Sequence, residues 1–170
     1  MRLSDREVAA LIHGMLLGGP FLLAFTGGFV ALYGLRSEYL TPDGIHDRVR
    51  QLRIGATAMA ALAWATVLTG TWLLLPWYRD DSPNSPQSRL VSNPDTRLWH
   101  EFADVWKTHV AHMAPVFATA AAALVVYYGP SLARDRTARN IVLALFLAAF
   151  AVTTLAALVG SLVTRVAPIR

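Results

Sequence analysis

VAALIHGMLLGGPFLLAFTGGFVALYGL, residues Val8 to Leu35, contains no acidic or basic residue. A helix needs about 20 mainly apolar residues to cross about 30 Å of hydrocarbon, and this run is longer than that. Three further runs have the same character: Ile54 to Tyr78, Thr108 to Ala133 (its spanning part about 108–130) and Asn140 to Thr164. The chain therefore reads as an all-α integral membrane protein, a single domain over 1–170. Four transmembrane helices, joined by connections that turn the chain back each time, form an antiparallel bundle. The only ionisable side chains inside the runs are His13, His109 and His112. Such groups are costly at membrane depth, so they are the first candidates for function.

Composition narrows the class. Of 170 residues, 55% are hydrophobic and 15% charged, against about 25% charged in a soluble domain, which excludes a soluble enzyme with an ordinary core. The formal charge of +4 does not imply nucleic acid, because the arginines sit in connections beside apolar runs. With no cysteine, disulfides, thiolate iron–sulfur clusters, c-type haem attachment and thiol catalysis are excluded. The first run is too long for a signal-peptide core and is expected to be retained. Ser4 and Glu7 have the spacing of a capping box at its start.

Arginine density predicts orientation. Arg36, Arg48, Arg50 and Arg53 lie in the first connection and Arg134, Arg136 and Arg139 in the third, so both should face the cytoplasm. Both termini, with Arg2, Arg6, Arg165 and Arg170, and the outer loop 79–95 then face the periplasmic side of a bacterial-type inner membrane. Asp80 to Ser92, rich in Asp, Ser, Pro and Asn, reads as an irregular loop. Asn93-Pro94-Asp95-Thr96 is a helix-start signal, so a helix from about Thr96 to Tyr128 should project beyond the outer face. Trp77, Tyr78, Trp99 and Trp106 form an outer aromatic belt, and Tyr33, Tyr39, Tyr127 and Tyr128 an inner one.

Counted from the inner charges, His13 lies 36 − 13 = 23 positions before Arg36, His109 134 − 109 = 25 before Arg134, and His112 134 − 112 = 22. At 1.5 Å per residue the depth of His13 agrees with that of either partner within about 3 Å. Two imidazoles from parallel spans one and three suit the axial ligands of one b-type haem, with His13 and His109 as first choice and His112 in reserve. Lys107 and Arg97, or Arg6 and His100, are candidates for its propionates. Gly14, Gly18, Gly19, Gly27 and Gly28 allow close approach to span one, and Pro20 and Pro115 bend the two ligand helices below the pocket. His46 reads as a solvated loop residue and His100 as an interfacial one.

A copper or zinc site is the chemical alternative, with three nitrogens from His13, His109 and His112. No nucleotide-binding, metalloprotease, nucleophile-elbow or EF-hand motif occurs. In architecture alone the arrangement resembles four-helix membrane b-type cytochromes. Their dihaem members often carry two histidines about 13 or 14 residues apart on a ligand helix. Here Gly27 and Ala123 stand fourteen residues after His13 and His109, so the resemblance implies at most one haem, on the outer side. The expected function is electron transfer between a quinol and an outer acceptor, within a larger respiratory complex in the lipid bilayer. A cofactor-free structural or assembly subunit is the other class of reading.

Overall fold

In the computed structural model, which describes residues 3–166, every regular element is a helix. Arg2 and Arg170, counted above in the charge balance, lie outside the described residues. Helix α1 covers Asp5–Tyr33, α2 Pro42–Tyr78, α3 Pro86–Ser92, α4 Pro94–Ala133 and α5 Arg136–Val166. All but α3 are long and apolar enough to cross a membrane, and the chain is a multi-pass membrane protein. Leu16, Leu23, Ile54, Trp72 and Leu155 point outward, as side chains facing lipid must.

Local signals set the helix starts. Ser4 accepts from Glu7 N at 3.3 Å while Glu7 accepts from Ser4 N at 2.7 Å, so the capping box is closed. Thr41 caps α2 and Pro42 opens it, twelve residues before the apolar run. Much of the arginine-bearing first connection is therefore helix, and α2, at 37 residues or about 55 Å, exceeds the hydrocarbon thickness. One expectation is corrected. The segment Asp80–Ser92 is not wholly irregular: Ser85 accepts from Ser88 N at 3.1 Å, Pro86 takes the first helical position, and Leu90 is buried against Ala103, Val159 and Val163. Two local preferences and one apolar anchor outweigh a loop-like composition.

Each long helix packs on the next, and α5 returns to α1. Small residues allow the approach. Phe146 fills the space a side chain would take at Gly28, and Phe150 stacks on Phe25 at 4.2 Å. Ala56, Met59, Ala60 and Ala63 of α2 are buried with Ala118 and Ala121 of α4. Contacts recur along each pair: His13 meets Thr69 and Gly28 meets Gly55, and Thr71 meets His112 and Trp64 meets Thr119. Helices α1 and α4 thus face each other diagonally across the bundle.

Candidate functional site

Three of the long helices widen into a π turn: Ile12–Leu17 in α1, Gly70–Leu74 in α2 and Trp106–Val110 in α4. Each turn ends two to five residues before a proline, Pro20, Pro76 and Pro115. A proline has no N–H for the carbonyl four residues back and its ring crowds that carbonyl, so the preceding turn opens. π turns concentrate at functional sites, and these three lie at the end of the bundle that carries the termini. His13 and His112 lie there with Thr69 and Thr71.

His13 packs against α2, where a Cβ on Gly70 would stand 2.9 Å from its Cε1. Its Nδ1 is 3.0 Å from Thr69 Oγ1. The Thr69 hydroxyl has one hydrogen, and two carbonyls stand ready to accept it, Ala65 O at 2.8 Å and Thr66 O at 3.0 Å. With its hydrogen so directed, the oxygen accepts from His13, which makes Nδ1 the protonated nitrogen and leaves the Nε2 lone pair free. A histidine fixed in this way has the tautomer of a metal or haem ligand.

His112 reaches α2 from the other side. Its Nε2 stands 3.5 Å from Thr71 Oγ1, two residues beyond the partner of His13. Its Nδ1 is buried without a hydrogen-bond partner, as is Nε1 of Trp106. Buried polar atoms are rarely left unpaired, so these two, six residues apart on α4, each call for a polar partner. Lys107 extends toward α5, and its Nζ would be 2.8 Å from a Cβ on Gly160. Among the described residues no carboxylate lies within ion-pair distance of that ammonium.

The remaining candidates lie elsewhere. His109 is exposed and donates from Nδ1 to Val105 O at 3.2 Å, so its ring is held against its own helix. Arg97 is exposed and pairs with Glu101 at 3.5 Å. His100 contacts Tyr78 Oη at 2.7 Å, beside the Arg79–Asp104 ion pair. His46 donates to Pro42 O at 2.9 Å at the arginine-rich end. Among the described residues no three His, Asp or Glu side chains gather as a metal site. Thr69, Gly70, Thr71 and Gly160 were not singled out from sequence. The Thr-Gly-Thr triplet was the available signal, a polar and small interruption late in an apolar run. Compared with known proteins, the chain matches no family model, and no curated protein or solved structure is significantly similar to it.

Proposed function

We propose that this protein is a b-type cytochrome-like electron-transfer component: an antiparallel four-helix membrane bundle holding one haem between α1 and α4, with His13 and His112 as axial ligands. The observation that carries the reading is the hydrogen-bond chain Ala65/Thr66–Thr69–His13, which leaves Nε2 of His13 as a free lone pair inside the bundle. The unpaired Nδ1 of His112 at the same α2 stretch supports the residue opposite. His112 takes precedence over His109, whose ring lies on the exposed side of α4. When bound, the haem supplies one-electron exchange without proton chemistry of its own. The chain's residues do the rest. Thr69 orients one imidazole, Gly70 lets that imidazole lie against α2, and Lys107, unpaired among the described residues, offers a cation to a carboxylate such as a propionate.

By the arginine rule the termini face the periplasmic side of an inner membrane, and the first turns of α4 project beyond the bilayer there. A quinol in the membrane is the electron donor, and the acceptor belongs to a larger respiratory complex. The test is the absorption spectrum of the purified protein. It should show a sharp Soret band, low-spin when reduced and little changed by carbon monoxide, since two histidines leave no open position. His13→Ala and His112→Ala should each remove the band, and His46→Ala should not. Full haem occupancy in the His13 variant would overturn the proposal.

A further inference from the structure

At the opposite end, where α1 stops and α5 begins, a cavity of about 220 Å³ is lined by Arg36, Ser37, Glu38, Arg134, Arg136 and Arg139. Four guanidinium groups surround it against one carboxylate. Its walls are held in place: Ser37 N donates to Ala133 O at 3.2 Å, and Arg139 Nη1 donates to the carbonyls of Leu35, Leu132 and Ala133 at 3.2, 3.0 and 3.3 Å. Arg36 lies over the Tyr33 ring at 5.3 Å, and Arg136 pairs with Glu38 at 3.1 Å. Arg134 has no side-chain partner among the described residues. The positive charge is thus gathered and only partly answered. Its level is where the apolar runs end, beside Tyr33, Tyr127 and Tyr128, and phospholipid phosphates lie at that level.

We propose that this cavity binds a phosphate group of net negative charge, one not offset by a neighbouring ammonium, at the membrane surface. Planar guanidinium groups converging on a partly enclosed space match the paired oxygens of a phosphate, and basic pockets between helix ends hold anionic headgroups in this way. An anionic phospholipid would present such a group at this depth, and a soluble phosphate would present the same chemistry from the aqueous side.

The experiment is native mass spectrometry of the full chain in detergent with equal amounts of phosphatidylglycerol and phosphatidylcholine. Phosphatidylglycerol should be retained in preference, by about fivefold for each guanidinium it engages. Arg36→Gln combined with Arg134→Gln should lower its retention by about 25-fold. Glu38→Gln, which removes the one competing carboxylate, should raise it. The last variant gains rather than loses, so a damaged fold cannot imitate it. Retention that survives an excess of inorganic phosphate identifies the lipid as the source, and displacement by inorganic phosphate identifies the soluble anion. Equal retention of the two lipids with no effect of phosphate overturns the proposal. So does an unchanged Glu38→Gln variant.

Discussion

Thr69 does at the residue scale what neither histidine can do for itself. An imidazole in a span can carry its hydrogen on either nitrogen, and only a neighbour decides which. Thr69→Val keeps the shape of the side chain and removes the acceptor, so His13 loses the bond that orients it. On the proposed function, haem binding should weaken by about 10- to 100-fold, read as loss of Soret absorbance on dilution, while the helical circular dichroism stays unchanged. Equal haem affinity in the two proteins would mean that His13 is oriented by something else. The common depth of His13 and His112 was legible from counting residues to the nearest charges. Which of His109 and His112 turns inward was not. One extra residue in a π turn rotates the helix before it by about 100°, and Trp106–Val110 is such a turn.

At the scale of elements, prolines and arginines shape the bundle at its two ends. Pro20, Pro76 and Pro115 each follow a widened turn, so the polar layer sits where the helices depart from ideal winding. The prolines of α1 and α4 already implied bends there, but periodicity could not reveal that all three turns meet in one layer. Arg139 secures the other end by joining the carbonyl ends of α1 and α4 to the first turns of α5. Those carbonyls have no helical donors of their own. Arg139→Ala removes a charged donor shared by three of them and should destabilise the protein by about 1.5–3 kcal/mol, measured as a lower unfolding midpoint in detergent. A midpoint within error of the parent would show that other donors replace it. Helix α3 was hidden because seven residues rich in Ser, Pro and Gln carry little hydrophobic periodicity. Its docking through Leu90 depends on residues of α4 and α5 far away in sequence.

For the whole molecule, arginine density predicts that the connections α1–α2 and α4–α5 share the cytoplasmic side and that the α2–α3 connection lies opposite. Cysteines at Asn84 and Ser131, both exposed, should differ in labelling by an impermeant reagent, with position 84 alone reacting from outside. Ser85 is unsuitable for this purpose because it is 2% exposed and caps α3. The reverse pattern would place the polar layer near the cytoplasm and the arginine cavity outside. The sequence by itself determined the four long apolar helices and implied a common depth for the histidines. Both follow from the length of uncharged runs, because hydrocarbon thickness and helix rise are constants of the medium and the backbone. Only the tertiary structure decided which side chains meet. Helix phase is reset at every widened turn, and the partners of His13, His112, Lys107 and Arg139 are hydroxyls, carbonyls and bare glycine backbone that hydropathy does not register.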